Sequence, residues 1–453
     1  MDSLNYIVEK AGSICNSFPE VKSWDVLGGE ITASEVVIEK GFLKTAEHST
    51  QYSINIRLFG EKGKTGSVNI TNLSLPFLNS SIEKSIDLMK GSLPNWDFKS
   101  LSHPADNYPN VQTPYDSRIK TLSVDDMGEI IDQFMNVKVQ DERIISVSGN
   151  FSSADVNYFI LNSNGVNLQN KASTLSLSAE ITMEEMIKGN KENSVGFEGQ
   201  SYVFFTQVEA EEILGSALTK AKMGLTKSKI STDLYPVILP PQAVMLFFNK
   251  IIASAANAQA IYENRSFLRN QVDKQIASEQ LEITDNPWLE NGMLTFPFDM
   301  EGTPTRPQKL VENGVLKTYL HNTYTANLFE TVSTGHASRS LGSSVIGIQP
   351  SNLLVRPGNI PFDHLIEDIK TGVYLEASYD SPNFVTGEFS GMISAGYLIE
   401  EGIVKNALRE SLFGMNLLDF YNNISGIGKE ISRYGSHYAP FMKIDNVKIS
   451  SKK

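Results

Sequence analysis

The chain has 453 residues, with 39 Lys+Arg against 52 Asp+Glu, a formal charge of −13. An acidic chain without a basic tract is a poor phosphate binder, because nucleic-acid affinity comes from clustered Lys and Arg that release counterions. A content of 41% hydrophobic and 20% charged residues is that of a globular protein and not of a disordered one. The first ten residues, Met1 to Lys10, lack a basic segment followed by an apolar one, and no apolar run reaches a bilayer's span. One cysteine, Cys15, permits no intrachain disulfide. A cytoplasmic protein, bound to neither nucleic acid nor membrane, is the expectation.

Leu4, Ile7, Val8, Ala11, Cys15 and Phe18 predict a helix over about residues 4–18, with Cys15 on its buried stripe. A small buried hydrophobe is the simpler reading of that thiol. Residues 24–75 alternate in the strand manner, as in Tyr52-Ser-Ile-Asn-Ile-Arg-Leu58. Gly63-Lys64-Thr65 imitates the end of a phosphate-binding loop. The glycine that such a loop needs five residues earlier is Leu58, and a strand follows where a helix is required. The stretch reads as a hairpin turn.

Helices are predicted at about 77–90 and 123–137, the second with Ser123 as N-cap. Strands are predicted at 143–181 and 194–207, then a long helix at 208–225. Glu209, Glu211 and Glu212 near its start and Lys220 and Lys222 near its end suit the helix dipole, so they read as a solvated face. The polar stretch Lys227–Pro236 is the best boundary. The expected division is 1–230, an N-terminal α/β domain, and 231–453, a β-rich C-terminal domain; the whole is α+β.

The second half opens with Val237-Ile-Leu-Pro-Pro and a helix from about Pro241 to Ala258. Its stripe is Val244, Phe247, Phe248, Ile251, Ile252 and Ala255. Turns at Asn313-Gly314 and Glu401-Gly402 mark hairpins. A short helix is predicted at 364–370, ended by Gly372. Asp299 and Glu301 stand before Gly302-Thr-Pro304 and read as turn formers. The six histidines, His48, His103, His321, His336, His364 and His437, include no pair at i, i+4. No Gly-x-Ser-x-Gly elbow and no strand–Gly-x-Gly-x-x-Gly–helix unit is present.

An ordered set of segments in the second half goes further than any single motif. They are Tyr262-Glu-Asn-Arg-Ser-Phe-Leu268, Asp285-Asn-Pro287, Phe298-Asp-Met-Glu-Gly-Thr-Pro-Thr305, Val311-Glu-Asn-Gly-Val-Leu-Lys-Thr-Tyr-Leu320, Tyr324-Thr-Ala326, Ser333-Thr-Gly335, Thr386-Gly-Glu-Phe-Ser390 and Gly396-Tyr-Leu-Ile-Glu-Glu-Gly402. In order and spacing, over about 235–405, they resemble the TldD/TldE family of metallopeptidases. Its TldE member is also called PmbA, or modulator of DNA gyrase. In the TldD-like branch a His-Glu-x-x-x-His helix binds zinc and its Glu serves as general base.

The resemblance puts Asn249, Lys250 and Ser254 at those three positions. It also leaves the family's cysteine ligand without a counterpart, since Cys15 lies near the N-terminus, and no histidine falls between Pro236 and Leu320. The chain therefore resembles the TldE/PmbA branch. The resemblance implies no catalytic residue and no metal in this chain, and zinc in a TldD-like partner. It also implies a heterodimer with that partner (or a homodimer without it) and unfolded or peptide substrates. Two other readings stand beside it. One is a relocated metal site built on His321, His336 and Glu330. The other is a non-enzymatic peptide-binding or regulatory protein.

Overall fold

The computed structural model describes residues 4–123, 126–136 and 141–451. Among them two large sheets divide the chain. The first is antiparallel and six-stranded, in the order β3-β2-β1-β4-β5-β6. Its strands are β1 (Ser23–Glu39), β2 (Phe42–Phe59), β3 (Thr65–Ile70), β4 (Ile144–Asn162), β5 (Asn167–Ile187) and β6 (Asn190–Tyr202). Gly60–Lys64 turns the chain between β2 and β3, as expected of a hairpin.

One face of this sheet carries four helices. At one end lie α1 (Leu4–Asn16) and α2 (Leu75–Gly91); at the other lie α3 (Gly128–Asn136) and α4 (Ala210–Leu225). Cys15 is buried against Trp24 and Val26, and burial pushes its thiol up to about 12. That is the state of a packing group and not of a reactive thiolate. The helix described near Ser123 begins at Gly128, and ahead of it Ser123 and Asp126 exchange hydrogen bonds in the capping-box manner, Asp126 N donating to Ser123 Oγ at 3.2 Å and Ser123 N to Asp126 Oδ2 at 2.8 Å. The expected end of that helix at Val137 lies outside the described residues.

Leu27, Tyr158, Ile160 and Val166 on the opposite face pack against Phe298 and Leu341 of the second half. Two adjacent glycines make β1 thin at this place. A Cβ on Gly28 would stand 2.2 Å from Val8 of α1, and one on Gly29 would stand 2.3 Å from Leu341.

A thirteen-stranded mixed sheet forms the second half. Its last strand in sequence, His437–Ser451, lies in the middle. That strand is parallel to Leu353–Val355 and antiparallel to Asp233–Leu239, Ser411–Asn416 and Ile424–Tyr434. Lys227–Ser228, in the stretch expected to be a boundary, pairs with Ile403–Leu408 in this sheet. Asn313-Gly314 and Glu401-Gly402 turn hairpins with φ of +47°, +74°, +48° and +72°. The short helix Phe362–Ile366 stops well before Gly372, which lies in the strand Thr371–Ala377. Gly372 is there because a Cβ would meet Ile369 at 2.6 Å and the Pro236 carbonyl at 2.8 Å.

The Pro241 helix runs through the core as three continuous pieces. They are an α-turn (Pro241–Val244), a π-helical turn (Met245–Lys250) and a second α-segment (Ile251–Ala255). Phe247 and Phe248 are buried on its inner side against Phe389, Phe413, Phe420 and Tyr421. The π-turn is not visible in the sequence. It adds one residue to the turn and shifts the phase of all that follows.

Candidate functional site

Asn249 is the last buried residue of the π-turn. Its Nδ2 donates to the Leu353 carbonyl at 3.4 Å, and its Oδ1 has no partner among the described residues. In this register the three positions do not converge. Asn249 is buried, whereas Lys250 and Ser254 are open to solvent.

Their chemistry is equally unsuited to zinc. An ammonium has no lone pair to give, and a neutral amide and a hydroxyl are weak ligands beside imidazole, thiolate or carboxylate. Among the described residues no cluster of three His, Cys, Asp or Glu is placed to hold a metal. The residues present do not fit a zinc centre.

Leu353 connects Asn249 to a buried polar chain. Its strand pairs on one side with Ile283–Asp285 and on the other with His437. Asp285 accepts from Ser351 N (2.6 Å), Ser351 Oγ (2.9 Å) and His336 Nε2 (2.7 Å). His336 Nδ1 lies 2.8 Å from Thr334 Oγ1, which also receives His321 N at 2.7 Å. His321 and His336, which sequence alone could not bring together, are thus joined through Thr334. Both ring nitrogens of His336 are engaged, leaving none for a metal, and Glu330 is exposed.

The other two histidines of this region are held neutral. Burial pushes His321 down to about 4, and burial followed by the Lys250 charge pushes His437 down to about 4. The Nδ1 atoms of both are buried without a partner among the described residues. His336 also lines a cavity of about 250 Å³ with Phe296, Phe298, Met300 and Arg339.

Arg339 fixes this region to the first sheet. Its Nη1 donates to Asp25 Oδ1 at 2.7 Å, and Arg57 Nε donates to Asp25 Oδ2 at 2.8 Å. Burial opposes the charge on Asp25, but the two guanidinium groups hold its carboxyl below the usual range. Asp299 does form the turn expected of it, accepting from Glu301 N at 2.9 Å and Thr303 N at 3.0 Å. It is also buried and accepts from Ala337 N at 3.0 Å. Burial, and then the Glu301 charge, push it up to about 8.

One sequence reading is corrected here. Lys220 does not sit on a solvated face. It bridges Glu198 on β6 (2.9 Å) and Glu376 in the second half, with which its ion pair is shorter still. Glu376 lies 156 residues further along, so no local signal could have shown the contact.

Fold and site together define a two-sheet protein of the metallopeptidase-related kind. Two family models match: the PmbA/TldA metallopeptidase central domain over residues 117–225 and the PmbA/TldA metallopeptidase C-terminal domain over 232–451. The chain belongs to the PmbA/TldD family. It is 25% identical over 456 aligned positions to "Metalloprotease PmbA" of Escherichia coli O157:H7, covering 97% of this chain and 96% of that one. To a metalloprotease of Methanocaldococcus jannaschii it is 26% identical over 306 positions, covering 66% of each. The match to one from Methanothermobacter thermautotrophicus spans 49% of each chain at 29% identity. The fold matches TldE from Thermococcus kodakarensis with a TM-score of 0.89 and 21% identity, over 98% of this chain and 100% of that one.

Proposed function

We propose that this chain is the non-catalytic, TldE/PmbA-like subunit of a cytoplasmic TldD/TldE-type metallopeptidase. A TldD-like partner holds the zinc, and the pair acts on unfolded or peptide substrates. The division of this chain near residue 230 is part of the same proposal. The observation that carries it is the state of the metal-helix positions: Asn249 buried and bonded to a backbone carbonyl, Lys250 and Ser254 exposed. The engaged nitrogens of His336 and the exposure of Glu330 weigh against a relocated metal. β6 is one of the two edge strands of its sheet, a place where an extended peptide can add as a further strand.

The test is elemental analysis of untagged protein, followed by peptidase assays alone and with a TldD-like subunit. Near-zero zinc, no cleavage alone and cleavage by the pair are expected. One tightly held zinc per chain, with chelator-sensitive cleavage by this chain alone, would overturn the reading.

A further inference from the structure

A second cavity, about 490 Å³, opens at the start of the Pro241 helix, between α4 and β6 on one side and the second sheet on the other. Its floor is the trio Glu198, Lys220 and Glu376, with both carboxylates buried. Two carboxylates and one ammonium leave a charge of −1. Neutral donors complete the shell: Ser216 Oγ to Glu198 at 2.9 Å and Gln242 Nε2 to Glu376 at 2.9 Å.

The walls are aromatic. Tyr374 and Tyr397 have ring centroids 6.1 Å apart at 59°, and Tyr434 and Phe441 stand beside them. Burial, and after it the nearby carboxylates, keep the three phenols protonated at neutral pH. The cavity thus offers neutral, electron-rich ring faces over a floor with one uncompensated negative charge. A ring face attracts a cation within about 6 Å, and a chain of charge −13 draws cations toward it. An anion would meet the residual charge of the floor, since Lys220 is already neutralised by its partners.

We propose that this cavity binds an organic cation: an alkylammonium or guanidinium group on an apolar stem. The stem lies on the tyrosine faces and the charge sits over Glu376 and Glu198. The inference goes beyond the subunit reading and does not depend on it, because it makes no use of the metal positions. A chain found to carry its own zinc would leave it standing.

Calorimetric titration of the full-length chain at low salt tests it, with N-acetyl-lysine N-methylamide, its uncharged norleucine counterpart and n-butylammonium as probes. The lysine derivative is expected to bind saturably and about tenfold more tightly than the norleucine one. Tyr374→Leu and Tyr434→Leu are each expected to weaken it about tenfold, with melting temperatures confirming that both variants fold. Butylammonium binding as well as the lysine derivative would assign the site to free amines; weaker binding would assign it to side chains within a peptide. Equal affinity for the norleucine derivative, absence of binding at 10 mM (about 2.7 kcal/mol), or folded leucine variants that bind like the parent would overturn the proposal.

Discussion

Replacing Arg339 by Met removes one of the charges that join the two halves of the chain. The Arg339 side chain is 2% exposed, donates to Asp25 at 2.7 Å and also bonds Asn55 Oδ1. Breaking a buried ion pair from one side costs about 3–5 kcal/mol, because the other charge is left in a poor dielectric. Arg57 still holds Asp25 through two nitrogens, so the lower end, about 3 kcal/mol, is expected. Urea unfolding followed by tryptophan emission reads it well, since Trp24 is buried beside Asp25 in sequence. The double variant Asp25→Asn/Arg339→Met then measures the coupling. Little of the single-variant loss should be recovered, because the buried Arg57 guanidinium is then the charge left without its carboxylate. A loss below about 1 kcal/mol for Arg339→Met, the scale of an exposed pair, would refute the reasoning.

Three further outcomes follow from the same structure. His321 and His437 titrate at about 4 in the fold and at about 6.5 when unfolded. Their contribution is full above about pH 6.5 and is lost as pH falls toward 4, up to about 3 kcal/mol each; a His437→Gln variant should show a flatter fall between those values. Gly29→Ala should cost about 1–3 kcal/mol by forcing Leu341 aside. Adding Leu341→Ala should lose less than the two single changes summed, and strict additivity would show that the strand and Leu341 do not press on each other. Cys15 should resist a thiol reagent in native protein and react once unfolded; rapid native labelling would contradict its burial.

What the sequence discloses is what is local. The stripe Leu4–Cys15 and the stripe Val244–Ala255 each carry their own periodicity, and the structure buries both. The Asn313-Gly314 and Glu401-Gly402 turns need positive φ and have it. The rest depends on partners distant in the chain. Lys220 reads as solvated because its neighbours on α4 are; Glu376 changes that from another sheet. His321 and His336 meet only because Thr334 returns the chain between them. Gly372 looks like a helix stop, but its lack of a Cβ serves a close approach to Pro236. The π-turn at Met245–Lys250 has no residue signature at all, since its apolar side chains would suit an α-turn equally.

The position of the strand His437–Ser451 has a consequence for how the molecule comes into being. The first sheet has all six of its strands by Tyr202, so it is free to fold while the remainder is still being made. The second cannot. Asp233–Leu239 waits some two hundred residues for the neighbour that lies against it, and until then its row of amides and carbonyls is open on that side. Synthesis of the chain therefore passes through a long interval with one finished half and one half exposed to wrong pairings. Loss of the last fifteen described residues would not trim an edge but divide a sheet at its centre.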